Sequence, residues 1–360
     1  MIQYFSEEKQ NAWQLIRRDV QLGWWLEEKR PQNATMQQMI AGWQQSDAVH
    51  CPNILNENLH LFTKEIAQAI RLVQAILKKE AILDHLDQEP YLSQLQANYF
   101  EPLISSLNEG DSQEIEKITF DVLDKKGDLV TENLWVKFAW LSLHEKDDSI
   151  RARFSFGLEG YEDVAADPQR ETLAASICHS IFPESALLTK NKVLNTFIES
   201  ISKKDKPEFV ECIAYFNAPN GGALFHHDME KGHEGAIFAQ LSGHTAWLGL
   251  SKEALIQHIL NFVQQHPSIK TLSSTQLQQL QQADAKRLDV WLDEDEREAL
   301  DILINETPAF IQQLTQAGHA FILHPGDVIL LPQKNQQACA WHTVVGLGDE
   351  ISHALSFAVN

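Results

Sequence analysis

Two short segments far apart in the chain, Phe225-His226-His227-Asp228 and Ala340-Trp341-His342-Thr343, carry two histidines and an aspartate in strand-like surroundings. In an extended strand, side chains i and i+2 share a face. His226 and Asp228 can therefore grip one ion while His227 turns away. Two ligands are insufficient, so a third must come from elsewhere, and the late His342 is the candidate. An HxD tripeptide alone is also what a surface loop shows, so the weight falls on the context of both segments.

That context is β-rich. Residues 209–216 read as a strand leading into the turn-rich loop Asn217-Ala218-Pro219-Asn220-Gly221-Gly222. After the HxD and a polar loop, residues 236–241 and 245–250 flank Ser242-Gly243, a short hairpin connection. The turn Pro325-Gly326-Asp327 precedes an apolar strand at 328–331 that ends at Pro332. His342 follows, and residues 351–359 form a terminal strand. In a double-stranded β-helix this order brings a late histidine beside an early HxD. Between the hairpin and the closing strands, residues 251–317 read as a helical insertion rich in Gln and acids, its last helix opening at Thr307-Pro308 and stopping at Gly318.

Upstream the period differs. Residues 1–110 read as a helical N-terminal region. Residues 7–29 are polar with Trp13, Leu15, Ile16, Val20 and Leu22 spread through them, and Trp24-Trp25 is expected to anchor these helices. Ile66, Ile70, Val73 and Leu77 build one apolar stripe over 63–86, with Thr63 as its cap. A third helix is expected over 91–107. From 111 to 208 the chain reads as a β-meander plus a helix packing on the core. Ile118, Phe120 and Val122 alternate, then Leu134, Val136, Phe138 and Trp140, then Ala152, Phe154 and Phe156, and Asp167-Pro168 opens the helix. Arg151 and Arg153 share a face of the last meander strand.

The net charge of −21 over 360 residues argues against a nucleic-acid partner, which needs a basic footprint. No apolar run approaches a membrane span, and no basic segment followed by an apolar run opens the chain. Cys51, Cys178, Cys212 and Cys339 show no CxxC or zinc spacing and are expected to be reduced thiols, so the expected compartment is cytoplasmic.

Two imidazoles and one carboxylate on one face of a metal, with the other positions open, are the arrangement of non-haem Fe(II) oxygenases. The segments 215–222, 226–228 and 238–243, with Pro325 to Pro332, Trp341-His342 and residues 351–357, resemble the JmjC and cupin-like family of Fe(II)/2-oxoglutarate oxygenases. The resemblance covers residues 209–360 without the insertion. It implies an α+β fold with a double-stranded β-helix (cupin, jelly-roll) core. It also implies Fe(II) on His226, Asp228 and His342, 2-oxoglutarate and O2 as co-substrates, and C–H oxidation of a small molecule or peptide.

Two positions depart from the family pattern. Thr245 stands where many members carry the Lys or Arg that pairs the far carboxylate of 2-oxoglutarate, and Ala223 replaces a hydroxyl three residues before the first histidine. Arg153, Thr245 and Ser356 are the cofactor-binding candidates. Arg151 is an alternative; His244, Lys231 and Lys334 are weaker ones. His227, His233 and Glu234 are alternative ligands, His353 reads as a core or surface histidine, and Trp247 and Trp341 read as packing beside the site. A metal-dependent cupin enzyme without 2-oxoglutarate, a non-catalytic scaffold, and homodimerisation through the helical portions all stay open.

Overall fold

Period-two burial builds two facing sheets, and the helices fill the outer side of each. The structure is a computed structural model and describes residues 12–26, 32–106, 111–157, 167–202, 209–230 and 232–359. In chain order, the hairpin β1 (Ala12–Arg17) and β2 (Val20–Leu26) precedes α1 (Met36–Gln44), β3 (Val49–Cys51), α2 (Asn56–Leu59), α3 (Thr63–Leu77), α4 (Ile82–Leu86) and α5 (Tyr91–Ala97). The meander follows: β4 (Phe100–Ser106), β5 (Glu114–Leu123), β6 (Leu129–Trp140) and β7 (Ile150–Phe156). Next come α6 (Pro168–Ile181), α7 (Ala186–Thr189), α8 (Lys192–Ile201), β8 (Phe209–Asn217), β9 (Gly235–Ser242) and β10 (His244–Ser251). The insertion holds α9 (Lys252–Gln265), α10 (Ser274–Gln282), α11 (Ala285–Leu292), α12 (Glu298–Glu306) and α13 (Pro308–Gln316). The chain closes with β11 (Ala320–Leu323), β12 (Val328–Pro332), β13 (Ala340–Leu347) and β14 (Ser352–Val359).

The major sheet has nine strands in the order β3-β12-β9-β14-β8-β7-β6-β5-β4, and the minor sheet runs β11-β10-β13. Every pairing is antiparallel. The result is a jelly-roll-like sandwich with mixed helix and strand. Along β9 and β14 both faces are buried, so these strands read as nearly continuous apolar runs. Ile237, Ala239, Leu355 and Phe357 face a core shared with Trp43, Leu72, Phe182 and Phe197 of the flanking helices. Ala236, Phe238 and Ala354 face the sandwich interior, where they meet Trp247, Leu323, Ile329, Leu331 and Val344. The outer side of the minor sheet packs Leu248, Leu250, Trp341 and Val345 against Leu255, Phe310 and other insertion residues, with Leu15 and Leu22 of the hairpin. Each such side chain fully withdrawn from water contributes roughly 1.5–3 kcal/mol.

The N-terminal region is not helical throughout. Residues 12–26 form a hairpin turning at Arg18, whose φ is +57°. Leu15 and Arg17 are both buried at a spacing of two, which is the period of a strand. Trp24 and Trp25 lie in β2, in register with Gln14 and Trp13, rather than on a helix. The helix expected over 91–107 stops at Ala97, and residues 100–106 pair with β5 instead. Pro102 explains this, since it removes a helix donor and clashes with the preceding turn. Thr63 is the first residue of α3 rather than its cap, and its hydroxyl donates to the His60 carbonyl. Among the described residues, no helix is long and apolar enough to cross a membrane.

One close approach fixes the loop after β8 on the minor sheet. Gly222 has φ +127°, and a Cβ there would run into the Val344 carbonyl oxygen. Val344 in turn donates its N–H to the Ala223 carbonyl at 3.1 Å. Gly222→Ala is expected to lower stability by about 2 kcal/mol through strained backbone and overpacking. Chemical denaturation of the two proteins checks this; an unchanged midpoint would refute it.

Candidate metal centre

Three side chains from two segments converge at one edge of the interior. His226 pairs antiparallel with His342: its N–H donates to the His342 carbonyl at 3.0 Å, and the His342 N–H returns the bond at 2.9 Å. The HxD segment thus extends the minor sheet beyond β13. Its alternation sends His226 and Asp228 one way and His227 the other, where His227 meets Asp293 at 3.5 Å and the ring of Trp341. Nε2 of His226 lies 3.2 Å from Asp228 Oδ1, and Nε2 of His342 lies 3.3 Å from Oδ2. One donor atom from each of the three residues lies within 4.8 Å of the others.

That spacing fits a single ion. Metal–nitrogen bonds near ~2.1 Å put opposed donors roughly 4.2 Å apart. The donor set is nitrogen and oxygen without thiolate, which suits Fe(II) and similar ions. His226 Nδ1 lies 2.7 Å from the Leu224 carbonyl, an atom that only accepts, so Nδ1 carries the proton and Nε2 is presented to the site. His342 is almost fully buried, and the indole of Trp247 stacks on it with centroids 5.4 Å apart. The side chains of His226 and Asp228 are 37% and 38% exposed, so the cluster opens on that side.

Charge shapes the cluster. Burial opposes ionisation of Asp228, yet the imidazoles of His342 and His226 hold its carboxyl well below the usual range. For His226, burial is outweighed by the charge of Asp228, and its pKa rises. For His342, burial and the neighbouring His226 prevail and lower it. A proton on His226 therefore occupies the place a metal cation would take.

The other expected residues divide. Thr245 lies on the interior face of β10, where its hydroxyl donates to Gln240 Oε1 and accepts from the Trp247 indole, each at 2.8 Å. Gln240 donates its own amide to the Ser242 and His353 carbonyls, which leaves Oε1 as the acceptor. The single hydroxyl proton of Thr245 is thus committed, and a carboxylate, which only accepts, finds no donor there. Ser356 is on the interior face of β14, in register with Ile213 and Phe238. Arg153 donates from Nε to Glu211 at 2.8 Å and faces Glu230 at 3.7 Å. With His233 these carboxylates form a second group of donor atoms within 4.8 Å. The guanidinium already supplies positive charge there, and burial with the Glu211 charge pushes Glu230 up to about 7.

Arg151, on the same face of β7, has Tyr215 opposite it in register. The charges of Asp228 and Arg151 both act on the Tyr215 phenol. Tyr215 packs on Phe238, Phe238 on Trp247, and Trp247 on His342, a continuous aromatic wall from Arg151 to the cluster.

The remaining candidates have other partners. His353 is buried, stacked on Phe216 at 4.6 Å and paired with Glu184 at 2.9 Å. Lys334 donates to the Gln44 carbonyl, and the His244 ring packs on His324. Lys231 falls outside the described residues. A cavity of about 1160 Å³ lies among α10, α11 and α12, lined by Arg287, Trp291 and Arg297 but by none of the three clustered residues. Sequence reading missed Arg17, Tyr215, Gln240, Asn305 and Thr343. Only Tyr215 gave a signal, through its interior-facing position two residues before the Asn217 loop.

No family profile matches the sequence, and no curated protein matches it. Among solved structures, the chain is similar to an oxidoreductase of the 2OG-Fe(II) oxygenase family from Burkholderia pseudomallei. The identity is 8%, the TM-score 0.34, and the alignment covers 93% of this chain and 94% of that one. At that degree of likeness the centre stands on its own geometry.

Because a protonated His226 cannot ligate, metal affinity should fall as pH falls below the raised pKa of that imidazole. Co(II) titrations at pH 7.5 and 5.5 are expected to differ by at least about tenfold, with tighter binding at the higher pH. Equal affinities would remove His226 from the ligand set.

Proposed function

We propose that this chain is a mononuclear non-haem Fe(II)-dependent oxygenase that uses 2-oxoglutarate and O2 to oxidise a C–H bond of a small molecule or peptide. The observation that carries the reading is the convergence of His226, Asp228 and His342. The strand order supports it: β12-β9-β14-β8 faces β11-β10-β13 and the His226 segment, as a double-stranded β-helix would require.

His226, Asp228 and His342 would hold the iron, and Asp228 would offset part of its charge. Bound iron with its co-substrates supplies the oxidising equivalent that no side chain can. The protein's own work is placement. Leu224 fixes the His226 tautomer through its carbonyl, and Trp247, itself held by Thr245, fixes the plane of His342. The wall of Tyr215, Phe238 and Trp247 keeps water from that side of the centre. Arg151 is the cation for the far carboxylate of 2-oxoglutarate, since Arg153 is held by Glu211 and Thr245 has no proton to give.

A second reading, a metal-dependent cupin enzyme with another co-substrate, draws on the same commitment of Thr245 and Arg153. Anaerobic Fe(II) titration with and without 2-oxoglutarate separates the two. The first reading expects a visible charge-transfer band only when both are present. Arg151→Met should weaken 2-oxoglutarate binding about tenfold or more, the scale of one charge-assisted hydrogen bond, while Arg153→Met should change it less than about threefold. Iron binding without the band would favour the second reading. A band equally strong in Arg151→Met would remove Arg151 from the subsite. No iron binding at all would leave a non-catalytic scaffold.

A further inference from the structure

Resting on the metal-centre reading above, we propose that Arg17, acting through Asn305 and Thr343, is a positioning clamp that sets the metal affinity of His226, Asp228 and His342 from the opposite face of the minor sheet. Arg17 ends β1 and is 2% exposed. Its Nη1 donates to Thr343 Oγ1 at 2.6 Å. Its Nη2 donates to the Asn305 carbonyl at 2.7 Å and to Asn305 Oδ1 at 3.3 Å. Asn305 is buried near the end of α12, and its Oδ1 also accepts from the Phe225 N–H at 2.8 Å. Thr343 in turn donates to the Ala223 carbonyl at 2.7 Å.

Every arm ends beside a ligand. Phe225 precedes His226, and Thr343 follows His342. Strand alternation puts the ligands on the interior face and their neighbours on the face that Arg17 covers. The guanidinium thus reaches both ligand-bearing segments, one directly and one through Asn305.

The choice of residue argues for geometry over stability. Among the described residues Arg17 has no carboxylate within ion-pair distance, and its hydrogen bonds all go to neutral oxygens. Burial, with the charge of Arg18, lowers its pKa to about 10 against the more distant charges of Glu306 and Asp147, so it remains charged at neutral pH. Burying a cation whose hydrogen bonds all go to neutral acceptors is costly, and a packed apolar side chain of similar volume is often as stable or more so. What an apolar residue lacks is a rigid fork that fixes two acceptors relative to each other. Losing a group bonded directly to a metal ligand typically weakens metal binding about 10–100-fold, and Arg17, which holds the residues next to the ligands, is placed at the low end of that range.

The test compares wild type, Arg17→Met, Thr343→Val, Asn305→Leu and Asn305→Asp. Two readouts are used: anaerobic Co(II) titration followed by visible absorption, and amide hydrogen exchange of the metal-free proteins. Arg17→Met and Asn305→Leu are expected to weaken Co(II) binding at least about tenfold, alter the Co(II) spectrum, and speed exchange at the His226 and His342 amides. Thr343→Val, which removes the Nη1 arm and the Thr343 bond to Ala223, should weaken binding about threefold or more, and it keeps the proposal testable if Arg17→Met does not fold. Asn305→Asp retains the acceptors and should stay close to wild type. Folded variants that bind Co(II) within twofold of wild type, with an unchanged spectrum, would reduce Arg17 to a structural brace even if they melt earlier. Wild type that binds no Co(II) would overturn the metal centre itself, a different result from variants that merely match a binding wild type.

Discussion

The structure turns on one antiparallel bridge, the pair of backbone hydrogen bonds between His226 and His342. Its two residues come from segments separated by the whole helical insertion. The bridge sets the phase of both segments, and phase in a strand decides which side chains face inward. A slip by one residue would present His227 in place of His226 and turn Asp228 away from the interior. The surroundings act to prevent that slip: Gly222 lies against Val344, Ala223 bonds to both Val344 and Thr343, and Asn305 caps the Phe225 amide.

The minor sheet is covered on its outer side by elements that contribute no ligand. The hairpin and helices α9 to α13 supply Leu15, Leu22, Leu255 and Phe310 to one apolar layer. Within that layer lie a few polar groups whose hydrogen bonds reach the sheet. The interior is lined instead by aromatics and by polar groups that satisfy one another, as in the chain from Trp247 to Thr245 to Gln240. One sheet thus has an outer face that fixes position and an inner face that provides chemistry.

Much of the β architecture was legible from the sequence. The meander carries a period-two apolar pattern, the two strands flanking Ser242-Gly243 and the last strand read as short apolar runs, and turn residues mark their ends, as before β12. Strand alternation put His226 and Asp228 on one face, while His342 entered only through the order of strands and the family resemblance. The hairpin at residues 12–26 was misread as helix. Its apolar residues Trp13, Leu15, Ile16, Val20 and Leu22 do not alternate cleanly, and its buried face includes Arg17, a charge that no hydropathy pattern assigns to an interior. The strand at 100–106 was also missed, although Pro102 was a local signal against helix. The roles of Thr245 and Arg153 were illegible for another reason. Each depends on its hydrogen-bond partners, Gln240 and Trp247 or Glu211 and Glu230, and partner choice is a tertiary property.

The contact between Arg17 and Thr343 spans 326 positions of sequence. A bond of that range has consequences for the order of assembly, because contacts between distant residues form only after the loop between them has closed. On a growing chain, β1 and β2 emerge long before the strand they cover. Their buried arginine must wait in water while the meander, the major sheet and the insertion are made. The centre would then be completed in a late step that joins the early hairpin, the end of α12 and β13 together, so that a chain interrupted before residue 342 carries the sequence of α1 to α13 but only two of the three clustered residues.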